Sequence, residues 1–69
     1  MGSLRKLLGK NLRKRRGTQS QVVFAKILGI SKSSLNRIEI GEQNVALDTI
    51  ETICARLKLS IEELFKDRN

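Results

Sequence analysis

The sequence predicts an all-α domain, and three observations support that prediction. Apolar residues recur along the whole chain at the three- and four-residue spacing of helices. No stretch alternates between apolar and polar residues as a half-buried strand would. Glycine and serine divide the chain into short segments that begin and end as helices do. With 69 residues, the chain has the length of one small, compact domain.

The first two helices are bounded by residues that favour helix ends. Leucines at four-residue intervals predict a helix over residues 4–16, which Gly17 ends. Ser20 is a good N-cap for a second helix over residues 21–28, which Gly29 ends. The inner face of this second helix is predicted to carry Phe24, Ile27 and Leu28.

The third helix, at about residues 31–40, follows after a very short connection. Ser31 caps it only two residues after Gly29, so the second and third helices must cross sharply rather than run antiparallel. This arrangement is a helix-turn-helix unit. Ala25 has a small side chain in the middle of the second helix, which lets the third helix approach closely. We therefore predict structural roles in the turn for Ala25 and Gly29.

Two more helices complete the predicted five. A fourth helix is expected at about residues 47–57, and Ser60 with Glu63 has the spacing of a capping box for the fifth. The fourth helix is predicted to turn Leu47, Ile50, Ile53, Cys54 and Leu57 inward, and Leu64 and Phe65 to close the core. We expect residues 1–3 to be a cloning remnant or disordered, residues 4–66 to form the domain, and residues 67–69 to be a frayed tail.

The charges are divided unevenly along the chain. The net charge is +7, but residues 1–38 hold ten basic residues and no acid, whereas residues 39–69 carry a charge of −3. This distribution favours a basic face for a polyanion. A basic surface that only aids solubility is the alternative. A basic first helix that lies on an anionic membrane is a weaker one, since aromatic anchors are missing.

Several function classes are disfavoured by composition. The chain has no histidine and a single cysteine, so neither a disulfide framework nor a usual zinc spacing exists, and we predict no metal and no cofactor. We expect no enzyme activity, because a phosphate-binding glycine loop and a paired carboxylate cleft are also absent. No apolar run is long enough to cross a membrane. A reducing, cytoplasmic location is expected.

The outward face of the third helix is made of hydrogen-bond donors. Leu35 and Ile38 set its inward direction, because each helical residue turns by roughly 100°. Arginine and lysine can donate to guanine, asparagine can pair with adenine, and serine can bond several base edges. Polar residues are also common on any exposed helix, so this face alone does not establish that the helix binds DNA. The residues that we predict to read DNA bases are Lys32, Ser33, Asn36 and Arg37.

The segment SQVVFAKILGISKSSLNRIEIG, residues 20–41, resembles the helix-turn-helix of the XRE family of bacterial regulators, the lambdoid-phage repressor and Cro type. Residues 47–57 and 59–65 also resemble the closing helices of that family, so the resemblance covers about residues 8–65. It implies a lambda-repressor-like fold that binds double-stranded operator DNA, usually as a homodimer on a palindromic site. It also implies a bacterial or phage protein at the nucleoid.

The resemblance assigns further residues by position. Gln21 would contact a phosphate and brace the third helix, while Gln43 and Asn44 would lie in a loop that meets the DNA backbone. The basic run before the second helix suggests that Arg13 and Arg16 reach the flanking phosphates. We expect Glu39 to form an ion pair with a basic residue of the first or second helix.

The sequence departs from the family pattern at several positions. The residues concerned are Val22, Val23, Ile40, Val45 and Ala46, where the family usually has polar residues or proline. Ala46 predicts a poorly capped fourth helix, and either the two valines or Ile40 is predicted to mark a protein-binding patch.

The predicted function is sequence-specific DNA binding by a transcriptional regulator that acts as a repressor. The alternative is an antitoxin-type module that binds a small protein as well as its own operator. Single-stranded or non-specific nucleic-acid binding is disfavoured, because the two aromatic residues are predicted to be buried. We expect Leu59, Ile61 or Leu64 to form the dimer interface.

Overall fold

The computed structural model describes residues 3–42 and 45–66, and these residues form helices, turns and loops without any strand. The predicted all-α, five-helix fold is therefore confirmed, and the first helix begins one residue earlier than predicted. The helices are α1 Ser3–Arg16, α2 Gln21–Leu28, α3 Lys32–Glu39, α4 Leu47–Leu57 and α5 Ile61–Leu64.

Serine side chains cap three of the helices. The Oγ atoms of Ser20, Ser31 and Ser60 each accept a hydrogen bond from the backbone N–H three residues later, at 3.0 to 3.1 Å. Each bond satisfies an amide that the first helical turn leaves unpaired. Ala46 precedes α4 and makes no side-chain cap, as its methyl group requires. The weak cap expected at this helix is confirmed.

Residues with positive φ follow α1, α2, α3 and α4, and the ends of α2 and α4 show two different cases. Gly29 after α2 has φ 76° and ψ 28°, which glycine adopts at little cost because it has no Cβ. Lys58 after α4 has φ 57° and ψ 47°, although it carries a full side chain. The sequence did not predict this second position, since nothing in the local pattern distinguishes Lys58 from an ordinary helix-end lysine.

The core draws on all five helices. Helix α1 packs on α3, α2 packs on both α3 and α4, and α4 packs on α5. Cys54 is half-buried against the core, and burial raises the pKa of its thiol. The buried apolar residues are Leu8, Leu12, Phe24, Ala25, Leu28, Leu35, Ile38, Ile50, Ile53 and Leu64.

Three predictions about apolar residues are wrong. Ile27 is 40% exposed, because it lies at the edge of the apolar stripe of α2 rather than at its centre. Leu47 is 74% exposed, since it begins α4 one turn before the first buried residue of that helix, Ile50. Leu64 was one of three residues predicted to contact a second copy, but its side chain is fully buried, as its other predicted place in the core requires.

Two residues of α1 fix its position. A Cβ atom at Gly9 would lie 2.5 Å from the carbonyl oxygen of Ile38 and 2.7 Å from that of Glu39, so only glycine allows α1 to approach the end of α3 this closely. Asn11 is buried, and its Nδ2 donates to the carbonyl oxygens of Leu64 and Lys66 at 2.8 and 2.9 Å. Helix α1 therefore holds both α3 and the end of α5.

Candidate nucleic-acid interface

Helices α2 and α3 form the predicted helix-turn-helix. The backbone N–H of Gly29 donates to Lys26 and that of Ile30 donates to Ala25, at 3.2 and 3.1 Å, which closes the end of α2. Ala25 is buried where α2 packs on α3. Ala25 and Gly29 therefore lie where the predicted turn needs a small and a left-handed residue, and their structural roles stay predictions.

The outward face of α3 carries the four predicted base-reading residues together. Leu35 and Ile38 are buried on the opposite side of the helix, which leaves the outward residues in solvent. The Oγ of Ser34 lies 3.0 Å from the Oγ of Ser31, so these two serines serve the helix start and not the outward face. The exposed residues of the face are Lys32, Ser33, Asn36 and Arg37.

Glu39 is the only acid of α3, and its carboxylate is 2% exposed. Arg16 of α1 donates from Nε to Oε2 at 2.7 Å and from Nη2 to Oε1 at 3.0 Å, which is a two-point ion pair. The hydrogen bond to Glu39 is the main reason that the pKa of Arg16 is raised above its ordinary value. The ion pair predicted between Glu39 and the first or second helix is confirmed, with Arg16 as the partner.

Gln21 joins this ion pair to the outward face. Its Nε2 donates to Oε1 of Glu39 at 3.0 Å and to Oδ1 of Asn36 at 3.3 Å. Gln21 therefore braces α3, as the resemblance implied. Its contact with a DNA phosphate stays a prediction, although its place at the start of α2 also suits an anion.

Both arginines predicted to contact phosphates have partners inside the protein. Nη1 of Arg13 donates to the carbonyl oxygen of Glu39, and Nη1 of Arg16 donates to that of Gln19. Arg13 is exposed and keeps further donors, whereas Arg16 is half-buried and its charge is balanced by Glu39. Phosphate contacts by Arg13 and Arg16 remain predictions, as do those of Gln43 and Asn44, which lie outside the described residues.

The sequence reasoning missed a contact behind the turn. Nη1 of Arg56, on α4, donates to the carbonyl oxygen of Ile27 at 3.3 Å, and its guanidinium lies 3.0 Å from where a Cβ would stand on Gly29. A basic side chain at the C-terminal end of a helix is favourable. The only sequence signal was a cation in the last turn of α4, which does not say which neighbour it meets.

Two other kinds of site are absent from residues 3–42 and 45–66. No group of three histidine, cysteine or acidic side chains there could hold a metal ion. None of the helices described is long and apolar enough to cross a membrane.

The sharp α2–α3 turn and the donor-lined, acid-free outward face define a helix-turn-helix domain of a DNA-binding type. A family model described as "Helix-turn-helix" matches residues 10–64, so the chain belongs to the helix-turn-helix family. The resemblance to XRE-type regulators is thereby confirmed, and with it the general function of a DNA-binding transcriptional regulator. Members of this family are typically non-enzymatic.

Two curated relatives match over 84% of this chain. One is antitoxin PezA of Streptococcus pneumoniae serotype 4, which is 37% identical over 60 residues. The other is control protein C.MunI of Mycoplasma sp, which is 38% identical over 58 residues. The match spans 38% of the length of the antitoxin and 78% of the control protein. No solved structure matches the chain at a significant level.

Proposed function

We propose that this chain represses transcription by reading specific base pairs in the DNA major groove with α3. The observation that best supports the proposal is the placement of the charged side chains on this helix. Its four outward side chains are exposed donors, while its one acid, Glu39, is buried and paired with Arg16. An acid on this face would repel the DNA backbone. The ion pair with Arg16 keeps the Glu39 carboxylate away from this face.

The chemistry of the outward residues suits base edges. Arg37 can donate to O6 and N7 of guanine, and Asn36 can pair with N6 and N7 of adenine. Lys32 and Ser33 lie in the first turn of α3, the part of a recognition helix that reaches furthest into the groove. The hydrogen bond from Gln21 fixes the Asn36 side chain, which reduces the conformational entropy that binding must remove.

Phosphate contacts are proposed around this reading face. Gln21 lies at the positive end of α2, where backbone amides favour an anion. Arg13 remains exposed at the end of α1 and can reach flanking phosphates. The half-buried Arg16 contributes mainly by holding Glu39. Because each neutralised phosphate releases a counterion, affinity should fall steeply as salt rises.

Two copies on a palindromic site are proposed to occlude a promoter. Recognition helices of such a dimer enter successive major grooves about 34 Å apart. The control-protein relative, which matches 84% of this chain, supports a regulatory role. DNA as the ligand implies action at the nucleoid, in the cytoplasm of a bacterial host.

The proposal is tested by selecting binding sites from a random duplex pool at moderate salt. We expect a motif with two-fold symmetry whose half-sites are separated by about one helical turn. A non-symmetric motif would support reading by single copies and contradict the dimer. A pool without any motif would refute specific reading and leave a basic domain that binds DNA through charge alone.

An antitoxin-type function is the second candidate. The antitoxin relative is 37% identical over 84% of this chain, although the match spans only 38% of the antitoxin. Val22 and Val23 are about half exposed on α2, as predicted for a protein-binding patch. If a small protein encoded beside this chain co-purifies with it, Val23→Ser should weaken that complex. Co-purification that Val22→Ser and Val23→Ser both leave unchanged would remove the valines from this role.

A further inference from the structure

An apolar pocket opens where the start of α1, the start of α4 and the end of α5 meet. Its volume is about 290 Å³. A dry cavity of about 150 Å³ is enough for benzene, so this pocket can admit a leucine side chain. Among residues 3–42 and 45–66, Arg5 is the only charged residue that lines it. The lining residues are Leu4, Arg5, Leu8, Val45, Ile50 and Phe65.

The most exposed large apolar side chain of the described residues neighbours this pocket in sequence. Leu47 is 74% exposed and lies in sequence between two lining residues, Val45 and Ile50. Asp48 follows it and is also exposed. An exposed apolar side chain, Leu47, is thus followed by an acid, Asp48. The neighbouring apolar pocket carries a base, Arg5. We call Leu47 the knob.

We propose that a second copy of this chain fills the pocket. Leu47 of each copy inserts into the pocket of the other, and Asp48 of each copy lies against Arg5 of the other. This proposal rests on the proposed function, which calls for two copies on a palindromic site.

A second copy fits better than an unrelated partner because the surface complements itself. The knob and Asp48 lie in sequence between two residues that line the pocket, Val45 and Ile50, so a two-fold rotation can exchange both contacts at once and close the assembly. The charges agree with this exchange, since Arg5 belongs to the acid-free first 38 residues and Asp48 to the acidic-leaning remainder. The contact would also cover two exposed leucines, Leu4 and Leu47.

The test compares two serine substitutions by sedimentation equilibrium over a range of concentrations, without DNA. Leu47→Ser should raise the dimer Kd at least about tenfold, as expected for an apolar side chain that fills a pocket at an interface. The matched control is Ile61→Ser, at a residue that is 52% exposed and does not line the pocket. It should change the Kd by less than about twofold. Thermal unfolding followed by circular dichroism checks that both variants fold.

Two results of the sedimentation experiment would overturn the proposal. One is a dimer that Ile61→Ser disrupts and Leu47→Ser leaves intact, because the interface would then lie at α5. The other is a wild-type chain that stays monomeric at the highest concentration measured.

A charge exchange tests the predicted pair directly. Arg5→Asp and Asp48→Arg should each weaken the dimer by about fivefold, and the two combined in one chain should restore most of the lost affinity. If the combined variant does not regain dimer affinity, Arg5 and Asp48 do not contact each other across the interface.

DNA measurements separate this proposal from the proposed function. Leu47→Ser should bind a duplex with one half-site as tightly as the wild type does and lose only the added affinity for two half-sites. A wild-type chain that dimerises but binds no duplex would refute DNA reading and leave the interface standing. Equal loss by Leu47→Ser on one and two half-sites would place Leu47 at the DNA and overturn the interface.

Discussion

Gly9→Ala should destabilise the domain, although alanine is the better helix former. At an open helical site, the exchange of glycine for alanine stabilises by about 1 kcal/mol. At Gly9 the new Cβ would stand 2.5 Å from the carbonyl oxygen of Ile38 and 2.7 Å from that of Glu39. Favourable carbon–oxygen contacts begin at about 3.3 Å, so α1 and α3 must separate by several tenths of an ångström.

The expected size follows from these two terms. Overpacking in a well-packed interior costs about 1–3 kcal/mol, and contact with two backbone oxygens on a rigid helix end belongs at the upper end of that range. After the gain in helix propensity is subtracted, the free energy of unfolding should fall by about 2 kcal/mol. For a domain of this size, each kcal/mol corresponds to roughly 4–8 °C in Tm.

Urea unfolding followed by circular dichroism measures this change through the midpoint and the slope. Lys14→Ala is the matched control, because Lys14 is exposed on the same helix and its loss should change stability by less than about 0.5 kcal/mol. A Gly9→Ala variant that is more stable than the wild type would show that α1 does not approach α3 as closely as described.

Three further changes have defined outcomes. Lys58→Gly should stabilise by about 1 kcal/mol in urea unfolding, since Lys58 has φ 57°; no gain would argue against that conformation. Gln21→Ala should cost about 1 kcal/mol by removing its bonds to Glu39 and Asn36, and an unchanged midpoint would contradict this. Burial raises the pKa of Cys54, so the unfolded state loses its thiol proton first and stability should decline above the usual thiol pKa. Cys54→Ala should flatten that alkaline decline, and an unaltered slope would assign it to other groups.

The helix boundaries could be predicted because they are local. The side chains of Ser20, Ser31 and Ser60 bond amides three residues away, and Gly29 adopts a conformation that other residues avoid. Such rules need no knowledge of the rest of the fold. They fail at Lys58, where the α4 end is held in a left-handed conformation without glycine.

Contacts between helices could be predicted only where the charges limited the possible partner residues. Glu39 follows 38 residues that hold ten bases and no acid, so a basic partner was expected, but only packing selects Arg16 from the many bases of α1. The role of Gly9 could not be foreseen, because a glycine inside a helix pattern gives no sign of which backbone lies against it. The prediction that Leu47 is buried was wrong for a related reason. Periodicity gives the direction of a side chain but not whether another helix covers it.

The central claim, that α3 reads bases with its outward side chains, is tested most directly by Arg37→Ala on two duplexes. One duplex carries the selected motif and the other a scrambled sequence, at the same salt concentration. We predict a loss of about 1–3 kcal/mol on the motif, relaxed preference at one base pair, and a much smaller loss on the scrambled duplex. Equal losses on both duplexes would contradict base reading and assign Arg37 to the phosphate backbone.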